Sequence, residues 1–143
     1  MNATDLLALA RGMAEKPQGD VISSWNALLA YIHLAHGNGR AESFRVLFLD
    51  KKNRLIQDSV MGTGTVDHVP VYPREVLRTA LLCDACAMIL VHNHPSGDPA
   101  PSRADIAMTE SIRTACDVLG ITLHDHVIVG AGCEYSMRAH GDI

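Results

Sequence analysis

Two histidines at the end of an apolar run are the part of the sequence best suited to chemistry. His92 and His94 follow the continuous apolar run from Ala87 to Val91, which is typical of a strand buried on both faces. Side chains alternate along a strand, so residues two positions apart point to the same side. Two imidazoles side by side at a strand end suit zinc, which binds histidine nitrogen at about 2.0–2.1 Å.

A carboxylate in the first turn of the next predicted helix is a third candidate ligand. Asp105 follows a loop that contains Pro95, Pro99 and Pro101, and Ser102 begins the helix. Because the loop folds back between strand and helix, we expect Asp105 to face the same strand end. Two histidines and one carboxylate leave a fourth position for water, which is the mark of a catalytic zinc site. Zinc would bring the pKa of that water to about 7.

Structural explanations compete with this one. Ser102-x-x-Asp105 is also an ordinary helix start, with a serine cap and an acidic residue near the positive end of the helix dipole. A second His-x-His, His124 and His126, opens a predicted strand and has no carboxylate-bearing helix after it, so we expect it to be structural or to orient a zinc ligand. The conjunction of apolar strand, histidine pair, proline-rich loop and capped acidic helix favours the metal site.

A hydrolytic site also needs a base that takes a proton from water. Asp98 lies in the loop, where it is suited to ending a turn, and Glu75 falls on a solvated helix face. Glu42 stands just before the first predicted core strand. It reaches the zinc only if that strand neighbours the histidine strand, which sequence spacing alone does not establish.

The elements that must position these residues alternate between strands and helices. The pattern predicts helices over residues 3–15, 25–36, 73–82 and 102–119, and strands over residues 44–49, 55–61, 87–91, 121–129 and 133–137. Residues 16–20, with a proline and a glycine, read as a linker. This order predicts an α/β fold in which a mixed sheet is flanked by helices.

Composition limits the classes of protein. A chain of 143 residues with 48% hydrophobic residues fits one compact domain. Its net charge of −4 argues against a sequence-independent grip on nucleic acid. No segment approaches the roughly 18 apolar residues that span a bilayer, and the first residues do not form a secretion signal. We therefore expect a cytoplasmic protein with no membrane contact, and the pattern carries no signal for an oligomeric state.

The spacing of these residues resembles a known motif. His92-x-His94, followed after seven residues by Ser102-x-x-Asp105 and preceded by Glu42, resembles the JAMM signature of the JAB/MPN metallopeptidases. Strings that resemble the RadC branch of that family lie at residues 44–50, 72–75, 92–99 and 125–130. The resemblance predicts an N-terminal helix and linker over residues 1–20 and a RadC-like JAB/MPN domain over residues 21–143.

The resemblance implies a cytidine-deaminase-like fold with one zinc ion. His92, His94 and Asp105 would be the ligands, and Glu42 the general base that acts through the metal-bound water. Ser102 would help to hold the oxyanion, a role that competes with capping the helix. The typical reaction of the family is cleavage of peptide or isopeptide bonds, which implies a peptide or protein substrate.

Two features set this chain apart from the wider family. RadC-type proteins usually carry an N-terminal helix-hairpin-helix region associated with DNA, for which 143 residues are too few. Asn93, between the histidines, is usual for the RadC branch, whereas many JAMM peptidases have Ser or Thr there. The alternatives to a peptidase are therefore a nuclease of the RadC repair type, which the acidic charge disfavours, and a non-catalytic binding scaffold.

Overall fold

The structure, a computed structural model, describes residues 22, 24–36, 42–64 and 70–143. The helices are α1 (Trp25–His36), α2 (Pro73–Leu82) and α3 (Arg103–Leu119), and the strands are β1 (Ser43–Leu49), β2 (Leu55–Thr63), β3 (Ala87–Asn93), β4 (Thr122–Val129) and β5 (Glu134–Ser136). The helix predicted over residues 3–15 and the linker over 16–20 lie outside the described residues. Within the described ranges, no helix is both long enough and apolar enough to cross a membrane.

The strands form one five-stranded sheet in the order β2-β1-β3-β4-β5. β1 is antiparallel to both β2 and β3, and β4 is antiparallel to β5. β3 and β4 are parallel, and α3 makes the crossover that a parallel pair requires. The predicted α/β class, with a mixed sheet flanked by helices, is confirmed.

Both faces of the sheet are covered, which explains why β1 and β3 are apolar along most of their length. Leu47 and Leu49 of β1 belong to the cluster that includes Leu28 and Ile32 of α1. The intervening residues point the other way. Phe44, Val46 and Phe48 belong to the cluster formed with α2 and α3, which includes Val76, Leu77, Ile112 and Cys116. The domain is therefore a three-layer sandwich whose two cores are separated by the sheet.

The helix ends follow from local sequence signals. The Ser24 hydroxyl accepts a hydrogen bond from the Ala27 N–H at 3.1 Å and so caps α1. Pro73 occupies the first turn of α2, where its missing N–H has no cost. Gly120 ends α3 with φ of 73°, in the left-handed region that favours glycine. The predicted bounds of these helices are confirmed to within one residue.

The core beneath β1 predicts a large effect of truncation. Phe48 is fully buried between the sheet and the helices α2 and α3. We expect Phe48→Ala to lower the free energy of unfolding by about 3–5 kcal/mol, because it removes apolar contacts and leaves a cavity. Urea denaturation followed by circular dichroism measures this loss. Val118→Ala, at a side chain that is 81% exposed, is the control and should change stability by less than about 0.5 kcal/mol. Similar losses for both variants would contradict the assignment of Phe48 to the core.

Candidate metal centre

The strand order brings Glu42 to the histidines. His92 lies near the C-terminal end of β3, and the antiparallel partner β1 begins at the same end, where Phe44 pairs with His92. Glu42 immediately precedes β1, and its Oε2 atom lies 3.4 Å from His92 Nε2. The contact that sequence spacing left open is therefore present. The donor atoms of Glu42, His92 and His94 lie within 4.8 Å of one another and form a group that could bind a metal ion.

Asp105 faces both histidines from the first turn of α3. Its Oδ1 atom lies 3.4 Å from His92 Nδ1, and its Oδ2 atom lies 3.3 Å from His94 Nε2. Asp105 also completes a capping box, because Oδ2 accepts the Ser102 N–H at 2.8 Å while the Asp105 N–H donates to Ser102 Oγ at 3.0 Å. The Ser102-x-x-Asp105 motif is thus a helix start whose carboxylate also faces the histidines.

The four side chains are almost completely removed from water. The exposed fractions are 5% for His92, 13% for His94, 10% for Asp105 and 11% for Glu42. Burying two carboxylates is unfavourable unless hydrogen bonds or opposite charge compensate for the lost hydration. The arrangement therefore requires positive charge close to these oxygens.

The hydrogen bonds of His94 indicate where that charge is needed. His94 Nδ1 donates to the backbone carbonyl of Asp98 at 2.9 Å, so in the neutral ring the Nε2 lone pair points towards Asp105. A lone pair 3.3 Å from a carboxylate is repulsive unless a proton or a metal ion lies between them. The contact with Asp105 raises the pKa of His94 from its ordinary value, as expected where a carboxylate favours a proton or another cation on the ring.

Each ring nitrogen of His92 also needs a proton or a cation between it and a carboxylate oxygen. Its Nε2 and Nδ1 atoms each lie 3.4 Å from a carboxylate oxygen, of Glu42 and Asp105 respectively. A neutral imidazole carries one N–H, so it cannot donate to both. Among the described residues Nδ1 has no hydrogen-bond partner although it is buried. One imidazole can offer only one of these two nitrogens to a given metal ion. The described residues that could share an ion, with one donor atom each, are Glu42, His92 and His94.

The carboxylate of Asp105 is ionised. Burial acts to raise the pKa of Asp105, but the contacts from His92 and His94 and the hydrogen bond from the Ser102 N–H outweigh it. Together they hold the pKa of this carboxyl well below its ordinary value. Asp105 is therefore a permanent acceptor at neutral pH, as a metal ligand must be.

A buried pair behind the site supports Asp105 and His92. Thr109 on α3 donates its hydroxyl hydrogen to the Asp105 carbonyl at 2.7 Å and accepts from His126 Nδ1 at 2.6 Å. The His126 ring stacks against His92, with centroids 6.0 Å apart. Burial lowers the pKa of His126 to about 3, so its ring is neutral and adds no charge to the site. His124 bonds instead to Asn53 at 2.9 Å, and the expected structural role fits both histidines of this pair.

The loop after His94 is held against the turn between β4 and β5. The His94 N–H donates to the Val129 carbonyl at 2.8 Å, and the Gly97 carbonyl accepts from the Ala131 N–H at 3.3 Å. A Cβ atom on Gly130 would lie 2.3 Å from the Gly97 carbonyl oxygen. Only glycine at position 130 allows this close approach, by which the loop at Gly97 is held against the turn between β4 and β5.

The other candidate bases lie elsewhere. The Asp98 carboxylate accepts the Ala100 N–H at 3.0 Å and so closes a turn, as its position in the loop indicated. Glu75 is paired with Arg74 at 4.0 Å on a largely exposed part of α2.

The sequence did not predict the contacts of two further residues near the site, Thr109 and Asn93. Thr109 resembles any core threonine, and the side chain of Asn93 contacts a residue fifty positions away.

The fold and the buried histidine–carboxylate cluster define a mixed α/β domain with a candidate metal centre. The sequence matches the RadC-like JAB domain family over residues 22–142, and the chain belongs to that family. This match confirms the resemblance and the fold that it implied.

Two curated relatives share more than half of the residues that align with this chain. It is 62% identical to a UPF0758 protein of Rhodobacter capsulatus over 124 residues, which cover 87% of this chain and 58% of the relative. It is 60% identical to UPF0758 protein SPO0054 of Ruegeria pomeroyi, with 87% of this chain and 55% of the relative covered. The chain thus spans little more than half the length of these relatives.

The close contact at Gly130 predicts that a single methyl group disturbs the site. We expect Gly130→Ala to displace the Gly97 carbonyl, to speed amide exchange at His94 and to lower the free energy of unfolding by about 1–3 kcal/mol, as overpacking does. NMR hydrogen exchange and urea denaturation measure these effects. Ala131→Ser, in the exposed part of the same turn, is the control. Unchanged exchange at His94 in Gly130→Ala would contradict this account of the loop.

Proposed function

We propose that this domain is a metal-dependent hydrolase that cleaves a peptide or isopeptide bond. The observation that carries the proposal is the contact between Glu42 and His92, 3.4 Å long and buried, at the sheet end where His94 also lies. It supports the proposal because a buried carboxylate lies beside two imidazoles that could bind a metal ion, in a chain of the RadC-like JAB domain family. The substrate that we propose is a peptide or protein.

Zinc is the cofactor that we propose, with His92, His94 and Asp105 as its ligands. Two imidazole nitrogens and one carboxylate oxygen are a set that catalytic zinc takes, with one position left open. When bound there, zinc would polarise the substrate carbonyl and lower the pKa of water. The position of Asp105 supports this ligand set, because its Oδ1 lies 3.4 Å from His92 Nδ1 and its Oδ2 lies 3.3 Å from His94 Nε2. The group whose donor atoms all lie within 4.8 Å of one another has Glu42 in place of Asp105, so the metal-content test must include both carboxylates.

Glu42 is the proposed general base. Its carboxylate is buried, and the register of β1 against β3 brings it to His92. Among the described residues, no hydrogen bond or ion pair joins Glu42 to α3, the helix that carries Asp105. From this position Glu42 takes a proton from the attacking water and delivers it to the leaving nitrogen. A scaffold protein would have no need of a second buried carboxylate at this place, which favours the hydrolase over the non-catalytic alternative.

Ser102 is the proposed donor to the oxyanion. A hydroxyl group offers one donor and two acceptor sites. Capping α3 uses only one acceptor site, since Ser102 Oγ accepts the Asp105 N–H, and the hydroxyl hydrogen is left to donate to the substrate. Capping and oxyanion binding are thus compatible at this residue, although the sequence suggested that they compete.

Metal content tests the ligand set. We expect the wild-type chain, purified without added metal, to hold about one zinc ion, and His94→Ala to hold little, because it deletes one of three ligands. Plasma mass spectrometry of the purified proteins measures this. His124→Ala is the matched control, since His124 bonds to Asn53 and should not alter metal content. Equal zinc in wild type and His94→Ala, or none in either after zinc is supplied, would refute the proposed site.

Activity of Glu42→Gln tests the role of the base. We expect kcat to fall about 10²–10⁴-fold with little change in KM, because the amide cannot accept the proton. The assay uses internally quenched peptide libraries and a parallel set joined through lysine isopeptide bonds. Glu75→Gln, at a half-exposed side chain of α2, is the control and should retain wild-type kcat.

The zinc content of Glu42→Gln separates two roles of this residue. Retained zinc with lost activity supports a base, whereas loss of zinc would make Glu42 a ligand, as its place in the group with His92 and His94 also allows. Wild-type activity in Glu42→Gln would refute the proposed mechanism.

A further inference from the structure

We infer that Asn93 is a positioning residue that holds Glu42 in place through Ser43. The inference rests on the proposed role of Glu42 as the base, and it concerns a side chain that lies between the two histidines and is hydrogen-bonded to Ser43. Asn93 acts on the backbone of the neighbouring strand.

Two hydrogen bonds join Asn93 to Ser43. The Asn93 Oδ1 atom accepts from the Ser43 N–H at 2.7 Å and from the Ser43 hydroxyl at 2.9 Å. Both bonds are partly buried, so water competes with them only weakly. Because Ser43 is covalently joined to Glu42, any movement of Ser43 away from β3 also moves the base.

The pairing of β1 with β3 explains why this anchor is needed. The backbone ladder between these strands ends at the pair Phe44 and His92. Ser43 lies beyond that pair, and its N–H is received by the side chain of Asn93 rather than by a backbone carbonyl. Asn93 therefore extends the contact between the strands by one residue, to the position next to Glu42.

The backbone at Glu42 is held from both sides. On the β2 side, the Gly64 N–H donates to the Glu42 carbonyl at 3.0 Å. On the β3 side, the anchor is Asn93. Without the second anchor, the nearest remaining pairing with β3 is that of Phe44 and His92, and the chain at Glu42 gains freedom to move relative to His92, 3.4 Å from its carboxylate. A misplacement of about 1 Å can cost a catalytic group about 10²-fold in rate.

The side chain at position 93 is suited to this task for a simple reason. Successive residues of a strand point to opposite faces, so Asn93 cannot join His92 and His94 as a ligand. Its amide oxygen has two acceptor sites, which match the two donors of Ser43. Leucine has a similar size and shape but no acceptor, which makes Asn93→Leu the direct test.

The first readout is structural and does not depend on activity. In the full zinc-loaded chain, we expect Asn93→Leu to speed amide hydrogen exchange at Ser43 at least tenfold, because the N–H loses its acceptor. Asn93→Asp retains an oxygen acceptor and should restore slow exchange. Zinc content should stay at the wild-type value in both variants. Unchanged exchange at Ser43 in Asn93→Leu overturns the inference.

The second readout asks whether Asn93 acts through Glu42. On the peptide cleaved by the wild type, we expect Asn93→Leu to lower kcat about 10–100-fold with KM little changed. Added to Glu42→Gln, the same substitution should cause no further loss, since the base that it positions is already absent. Losses that multiply in the double variant overturn the inference, because a general structural defect would act independently of Glu42.

A matched control lies at the far end of β1. Asn53 Oδ1 also accepts a side-chain hydrogen bond, from His124 at 2.9 Å, and its φ of 59° is one that glycine adopts freely. Asn53→Gly should leave kcat and exchange at Ser43 unchanged. Ser43→Ala, which removes one of the two bonds, is the milder variant if Asn93→Leu folds poorly, and it should give an intermediate loss of kcat.

The outcomes for the two proposals are separable. Wild-type activity in Glu42→Gln, or no cleavage by the wild type, refutes the proposed function, and exchange at Ser43 alone then decides whether Asn93 anchors β1. An inactive Glu42→Gln beside a fully active Asn93→Leu refutes the positioning role and leaves the proposed function standing.

Discussion

The antiparallel register of β1 against β3 decides where the buried charges meet. With Phe44 opposite His92, the residue before β1 brings its carboxylate to the imidazole. A shift of one residue would turn every side chain of β1 to the other face of the sheet. That shift is prevented by the two cores, because Leu47 belongs to the layer with α1 and Val46 to the layer with α2 and α3. Apolar packing thus determines the geometry of the polar site.

The buried carboxylates of the polar site need hydrogen-bond donors or positive charge nearby, which apolar packing does not supply. Hydrogen bonds satisfy part of it, since the Ser102 N–H binds Asp105 and the Asp98 carbonyl binds His94. The N-terminal end of α3 also favours the negative charge of Asp105. What is left are imidazole nitrogens 3.3–3.4 Å from carboxylate oxygens, with too few N–H groups to serve them all. A cation bound by Glu42, His92 and His94 would supply positive charge that these hydrogen bonds do not provide.

Local signals made most of the fold predictable, and non-local contacts account for what was missed. Ser102 and Gly120 mark the ends of α3 because capping depends on a few neighbouring residues. The shared direction of the histidines follows from strand alternation in the same way. The contact of Glu42 with His92, by contrast, depends on which strands are neighbours, and the sequence pattern does not determine strand order. The bonds between Asn93 and Ser43 could not be predicted for the same reason, because they join residues fifty positions apart on neighbouring strands.

The start of α3 shows why a structural explanation and a chemical one need not exclude each other. The capping box uses the Ser102 oxygen as an acceptor and one oxygen of Asp105, and it leaves the second oxygen of Asp105 directed at His92. The bonds that begin the helix therefore also orient the carboxylate, together with its contacts to His92 and His94. A change at Asp105 is therefore expected to alter both the stability of the helix and the arrangement of the candidate metal centre. At Ser102 the hydroxyl oxygen caps the helix, and the hydroxyl hydrogen is the proposed donor to the oxyanion. A substitution that keeps an acceptor but lacks this hydrogen therefore distinguishes the two roles.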